Sequence, residues 1–404
     1  MGISRSKLTQ EEDSVLPRLG NGTCEVGCAE IMISDDENDD NDTLLTIYYP
    51  SDSSPRDEES EHPLWLPREE YIDGLAEYRD TSPFWIHFVH KWFIGKKRYV
   101  LWGIPAYWHR ALDIAESNYP VLIFSHGLSA CRYFYSIYCS SLASHGYIVA
   151  AIEHRDCSAC WTYKLKTDEK TGETVEVPVK LRKLVSADDE FQLRNGQLHK
   201  RVSECIRTLH VLEELNLGVY GSDKKIEKKL LLGNNFAWSQ FKGRLDMSRI
   251  CIAGHSFGGA TAIAAAASST DFFAAVVLDG WMFPIEKELL TQVRQPVLFM
   301  NAENFQWEAN VKDMLRVIES SKRSVLLTFN EAVHYSFTDF PFLIPKMLCR
   351  WLGIQGLCDP VQCAEAMVEL SGHFLKYYCE HPNIAIFNLL EYDNIVTVGT
   401  KFSI

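Results

Sequence analysis

Residues 250–267 read Ile-Cys-Ile-Ala-Gly254-His-Ser256-Phe-Gly258-Gly-Ala-Thr-Ala-Ile-Ala-Ala-Ala-Ala267. The run Ile250 to Ala253 has the length and apolar content of a buried strand, and the Ala-rich stretch from Ala260 to Ala267 reads as a helix. Between them stands Gly-x-Ser-x-Gly, in the strand-before, helix-after setting that makes it a nucleophile elbow. The glycines are needed for steric reasons, because the turn holds Ser256 in a strained conformation that a Cβ at 254 or 258 would crowd. The dipole of the following helix favours negative charge developing at its N-terminus. Ser256 is therefore the candidate nucleophile.

Outward from that junction the chain alternates. Apolar runs recur at Val121 to Phe124, Tyr147 to Ile152, Ala274 to Leu278, Val297 to Met300 and Val325 to Phe329, with helical patterns such as Val202, Ile206, Leu209, Leu212 and Leu215 between them. Short buried strands separated by amphipathic helices predict an α/β fold with a mostly parallel sheet flanked by helices. The whole of 1–404 reads as one such domain. Residues 1–43 read as a flexible polar and acidic segment, followed by an early strand at Leu44 to Tyr49. Stretches 164–185 and 218–243 read as surface insertions, and 353–404 as a C-terminal extension packing extra helices on the sheet.

A serine hydroxyl needs a base, and in this chain order the base follows the last strand. His334 fits, in the loop after Val325 to Phe329. Two carboxylates stand at strand ends between serine and histidine, Asp279 and Glu303, and the residues alone leave both open as the acid that orients His334. The amides that hold an oxyanion are expected from Phe257, next to the nucleophile, and from Leu128 in the loop Ser125-His126-Gly127-Leu128 after an earlier strand.

Composition excludes several classes. With 46% hydrophobic and 23% charged residues the chain is neither disordered nor fibrous. A formal charge of −14 repels nucleic acid. Neither a cofactor nor a protein partner is implied. The twelve cysteines sit mostly in apolar stretches and read as free thiols of a reducing compartment. Cys24 with Cys28 and Cys157 with Cys160 lack the second matched pair of a metal site, so no metal is expected. The acidic run Asp35 to Asp42 lacks the turn Gly and terminal Glu of a calcium loop.

Met1-Gly2-Ile3-Ser4-Arg5-Ser6 fits the acylation pattern at Gly2, and no secretory signal is read. One acyl chain binds membranes only marginally, so a second signal is called for. Residues 84–98 hold Trp85, Phe88, Trp92 and Phe93 before Lys96-Lys97-Arg98, the composition of an interfacial helix, although composition alone suits a buried aromatic helix better.

Taken together, Phe124-Ser-His-Gly-Leu, Leu142-Ala-Ser-His-Gly-Tyr-Ile-Val-Ala-Ala-Ile-Glu-His-Arg-Asp156, Gly254-His-Ser-Phe-Gly-Gly-Ala-Thr, Leu278-Asp-Gly-Trp-Met-Phe-Pro284 and Val333-His334 resemble the platelet-activating factor acetylhydrolases of the plasma and intracellular type II group. The likeness runs from about Gly27 to Leu352. It implies an α/β-hydrolase fold, a triad at Ser256, Asp279 and His334, and oxyanion donors at Leu128 and Phe257. It also implies calcium-independent hydrolysis of short or oxidised sn-2 acyl esters of phospholipids. A membrane-facing helix would fall on Trp85 to Ile94, beside a second apolar patch at Phe340 to Leu352. With Gly2, the resemblance suits a cytoplasmic enzyme held peripherally at membranes. Ser129, Cys131, Cys157, Cys160 and the insertion at 164–185 depart from the pattern and bear on substrate breadth. A broad carboxylesterase or lipase would share every catalytic residue named, and a silent lipid-binding homologue would keep the fold.

Overall fold

The computed structural model describes residues 15–34, 42–52, 62–78, 106–113, 118–167, 173–220, 229–321, 323–380 and 392–402. The strands are β1 (Glu25–Ser34), β2 (Thr43–Ser51), β3 (Tyr107–Trp108), β4 (Tyr119–Ser125), β5 (Ile148–Ile152), β6 (Trp161–Thr167), β7 (Thr174–Lys180), β8 (Lys229–Leu232), β9 (Leu245–His255), β10 (Phe272–Leu278), β11 (Val297–Ala302), β12 (Val325–Phe329) and β13 (Val396–Val398). The helices used below are α1 (Glu70–Tyr78), α2 (Ser136–Ser144), α3 (Glu190–Leu217), α4 (Phe257–Ser268), α5 (Glu308–Ser320), α6 (Lys346–Trp351) and α7 (Pro360–Glu380).

Eleven strands of the described residues form one sheet, in the order β13-β12-β11-β10-β9-β4-β5-β2-β1-β3, with β8 beside β1. The stretch from β12 to β5 is parallel throughout, while β2, β1 and β13 add antiparallel margins. This is the mostly parallel, helix-flanked sheet of an α/β-hydrolase. Alternation along the strands divides the core. Leu122, Phe124, Cys251 and Ala253 face one layer, with Tyr138 and Leu142 of α2 and Met367 and Phe374 of α7. Val121, Ile123, Ile250 and Ile252 face the other, with Leu198, Leu209 and Leu212 of α3 and Ile263 of α4. Each fully buried Leu or Ile contributes about 1.5–3 kcal/mol.

Register decides where the chemistry collects. Ser125 pairs with Gly254 across β4 and β9, and Leu278 pairs with His255 across β10 and β9. The residues that leave these strands, His126-Gly127, Ser256 and Asp279, therefore emerge side by side at the carboxyl edge of the sheet, where ligands bind in such folds.

The N-terminal segment departs from expectation. Residues 25–34 are not flexible: β1 pairs with β2 over nine positions from Glu25 to Ile33, and Val26, Cys28, Ile31, Met32 and Ile33 are buried. β1 is buried on both faces, so it lacks the apolar–polar alternation that marks a strand in sequence, and it abuts the acidic run. Residues 218–243 are also more than a surface insertion, since β8 pairs with β1 and Phe236, Trp238 and Phe241 enter the core. Within stretch 164–185, β7 is largely exposed and pairs antiparallel with β6, whose first residues, Trp161 to Tyr163, are buried. Residues beyond 353 form α7 and a strand, β13, paired antiparallel to β12.

Candidate active site

β9 and α4 are separated by a single residue, Ser256, at φ 56° and ψ −116°. Non-glycine residues at positive φ are uncommon, and holding one there costs about 1–3 kcal/mol that the surroundings must offset. Ser256 N–H donates to Leu278 O at 2.9 Å and Ser256 O accepts from Trp281 N–H at 3.0 Å, so the turn is clamped against β10 from both sides. A Cβ on Gly254 would lie 2.1 Å from Gly258 O, and one on Gly258 would lie 2.0 Å from Ser125 O. Both glycines are thus demanded by backbone contact.

Asp279 leaves β10 at φ 50° and is buried. Its Oδ1 accepts Ala302 N–H at 2.9 Å and its Oδ2 lies 2.6 Å from Nδ1 of His334. That bond places the proton on Nδ1 and leaves Nε2 with its lone pair. Burial pushes the Asp279 carboxyl up, with the Ala302 amide opposing, and pushes the His334 imidazole down. The His334 ring lies between two others: Phe305 stacks on it with centroids 3.7 Å apart, and His255 packs at 4.4 Å. Among the described residues the Ser256 hydroxyl makes no hydrogen bond to His334. Such bonds are often long before substrate binds.

Glu303, the other carboxylate left open by the sequence, accepts Glu331 N–H at 2.7 Å and so braces the loop that carries His334. The structure brings Asp279, not Glu303, to the imidazole.

The loop after β4 abuts the elbow. A Cβ on Gly127 would lie 3.3 Å from the Ser256 Cβ. Among the described residues no hydrogen bond uses the amide N–H of Leu128 or of Phe257, the first residue of α4. Free amides beside a nucleophile are what a developing oxyanion requires.

Three supporting features are not evident from sequence. Arg201, buried in α3, donates to His126 O at 2.6 Å, pairs with Asp156 at 3.0 Å and lies 4.3 Å over the Phe257 ring. Charged residues interrupting the apolar stripe of Leu198, Val202 and Cys205, namely Arg194, Arg201 and Glu204, are the available signal. His154 joins Ser125 Oγ (2.7 Å) to Glu204 (2.6 Å) beneath the same loop. Tyr135 and His255 link that loop to the elbow.

The imidazoles of His255 and His334 and the Asp279 carboxylate offer atoms within 4.8 Å of one another, a spacing that could hold a metal. Most of these atoms are already committed, Nδ1 of His334 to Asp279 and both nitrogens of His255 to Tyr135 and to the carbonyl of His334, which leaves Nε2 of His334 as the one uncommitted imidazole lone pair. The donor set does not fit an ion.

With that geometry in place, comparison with known proteins is decisive. Residues 9–389 match the family described as platelet-activating factor acetylhydrolase, isoform II. The chain belongs to that family. It is 35% identical over 349 residues to a platelet-activating factor acetylhydrolase of Bos taurus, covering 86% of this chain and 73% of the relative. The Gallus gallus family member is 33% identical over 365 residues, covering 88% and 82%. A putative phospholipase A2 of Schizosaccharomyces pombe is 28% identical over 374 residues, covering 82% and 83%. In fold the acetylhydrolase-family chain is similar to a ferulic acid esterase of Streptomyces cinnamoneus, with a TM-score of 0.63, 16% identity and coverage of 96% and 99%.

Gly2, Trp85, Phe88, Trp92 and Phe93 lie outside the described residues. No helix of the described residues is long and apolar enough to cross a membrane.

Proposed function

We propose that this chain is a serine esterase that removes the acetyl, or another short or oxidised acyl group, from the sn-2 position of platelet-activating factor and related phospholipids. The observation that carries the reading is Ser256 at positive φ between the free amides of Leu128 and Phe257, beside the Asp279–His334 pair. His334 Nε2 takes the Ser256 proton as Oγ bonds to the ester carbonyl carbon. The carbonyl oxygen becomes an oxyanion and accepts from the two amides. As the tetrahedral intermediate collapses, the bond to the glycerol oxygen breaks and His334 returns the proton to that oxygen, releasing the lysophospholipid. Water, deprotonated by His334, then cleaves the acyl-enzyme and yields the carboxylic acid. Asp279 holds the His334 tautomer and stabilises its cation. The side chains supply base and acid and the backbone amides the oxyanion stabilisation, which accords with the calcium independence that the family resemblance implies.

The substrate is a lipid, and the surface suits access from an interface. On and beside α6, Met347 is 87% exposed and Trp351 80%, with Leu352 and Leu357 nearby in sequence and also exposed. With Lys346 and Arg350 in the same helix this is the pattern of an interfacial segment, and it supports peripheral docking of a cytoplasmic protein with Gly2 acylation and the 84–98 segment as companion anchors.

The test is hydrolysis of phosphatidylcholines with sn-2 chains from acetyl to palmitoyl, in chelator, by the wild type and by Ser256→Ala. The expected rate falls with chain length and vanishes in the variant. Equal or greater activity on long chains would assign a general phospholipase instead.

A further inference from the structure

We infer that His255, the residue before the nucleophile in the elbow, and Tyr135 are positioning residues that tie the oxyanion loop and the base loop to Ser256. This rests on the proposed catalytic roles of Ser256 and His334. Gly127 N–H donates to the Tyr135 hydroxyl oxygen at 3.1 Å, and that hydroxyl lies 3.0 Å from Nδ1 of His255. On the other side of the ring, Nε2 of His255 lies 3.1 Å from the backbone carbonyl of His334.

The protons can be placed in one way only. A carbonyl oxygen accepts, so His255 Nε2 carries the hydrogen. A neutral imidazole then has a bare Nδ1, which must accept from the Tyr135 hydroxyl. Having given its one proton to His255, that hydroxyl accepts from Gly127 N–H. The result is a directed chain from Gly127 through Tyr135 and His255 to His334 O.

This route joins the oxyanion loop, the elbow and the base loop through side-chain hydrogen bonds. Tyr135 and His255 are 1% and 3% exposed, so water does not substitute for a lost partner. The chain fixes the His126–Gly127 peptide, one before the peptide that carries the unused Leu128 N–H, and it holds the backbone carbonyl of His334. The His255 ring also packs on the His334 ring. A buried polar cluster serving stability alone would have no reason to join these two loops through the nucleophile's neighbour.

The test compares His255→Leu, His255→Gln and Tyr135→Phe on a soluble short-chain p-nitrophenyl ester, with Ser256→Ala as the control and folding checked by circular dichroism and melting temperature. His255→Leu removes donor and acceptor together, and its kcat is expected to fall about a hundredfold with KM within about twofold. His255→Gln restores a donor and an acceptor and is expected to recover at least about tenfold of that loss. Tyr135→Phe, the smaller change, is expected to lower kcat about tenfold and gives the reading if His255→Leu does not fold. Wild-type kcat in the Leu or Phe variant, a loss confined to KM, or a loss that Gln does not recover would overturn the inference. Full activity in Ser256→Ala would remove the catalytic reading along with it. An inactive Ser256→Ala beside a fully active His255→Leu would remove the inference alone.

Discussion

Asp279 reaches His334 from the end of the neighbouring strand, with Oδ2 2.6 Å from Nδ1 and Oδ1 held by the Ala302 amide. Both oxygens are engaged, so the carboxylate cannot swing away, and its charge faces the edge of the imidazole that must stay protonated during proton transfer at Nε2. Position, rather than exposure or charge alone, is what makes it the acid of the proposed triad.

Replacing that acid by its amide tests the assignment. Asp279→Asn keeps the shape but offers an N–H or a neutral oxygen to Nδ1 and releases the tautomer, so kcat should fall by about 10⁴ with the fold intact. Glu303→Gln alters only a brace on the Glu331 amide and should leave kcat within about threefold. Steady-state kinetics of the two purified variants decide it: comparable losses, or a larger one for Glu303→Gln, would move the acid back to Glu303.

The Phe305 stack predicts a pH effect of known sign. Burial disfavours the imidazolium and holds His334 below its ordinary value of 6.5, so the base stays neutral and competent on the acid side of neutrality. Phe305→Ala opens that face to water, which raises the His334 pKa toward 6.5. The acid limb of kcat/KM should therefore move to higher pH, and activity at about pH 5.5 relative to about pH 8 should drop. A limb that stays put or moves down would show that Phe305 does not shield the base.

The place where Ser256 and Asp279 leave the sheet is legible in the sequence because strand ends are local: Ile250 to Ala253 and Ala274 to Leu278 set which residues emerge together. The choice between Asp279 and Glu303 is not, because both follow apolar runs and only β10–β11 register and the backbone at Asp279 separate them. Arg201 and His255 are opaque for a different reason. Their roles depend on contacts with residues 75 and 79 positions away, and a polar residue on a buried stripe does not announce its partner. β1 escapes notice because Glu25, Glu30 and the acidic run after it make the segment read as a polar tail until Thr43–Ser51 is beside it.

The exposed apolar residues on α6 predict a separation between interfacial and soluble chemistry. Met347 and Trp351 bury almost nothing in the fold, so Met347→Ser with Trp351→Ser should leave the melting temperature and the hydrolysis of a monomeric ester unchanged. If the pair inserts in a lipid surface, at about 25 cal/mol per Å² the lost burial should weaken vesicle binding by about tenfold or more. Co-sedimentation with phosphatidylcholine vesicles measures it, and undiminished binding would place the docking surface elsewhere.

Two glycine-to-alanine changes should act in opposite directions. At Gly254 the new methyl would meet the backbone of Gly258 at 2.1 Å, and backbone cannot step aside as a flexible side chain can. The strand and helix would have to part, which displaces Ser256 and breaks its clamp on Leu278 and Trp281, so Gly254→Ala should lose about 2 kcal/mol or more of stability along with activity. Gly196 lies inside α3, exposed, with nothing within 4 Å of its would-be Cβ. There alanine only restricts the unfolded chain and improves helix propensity, so Gly196→Ala should gain about 0.5–1 kcal/mol with kcat unaltered. Denaturant unfolding and ester hydrolysis on both proteins check the pair. A Gly254→Ala protein with normal stability and turnover would mean that the elbow does not need the close backbone approach described for it.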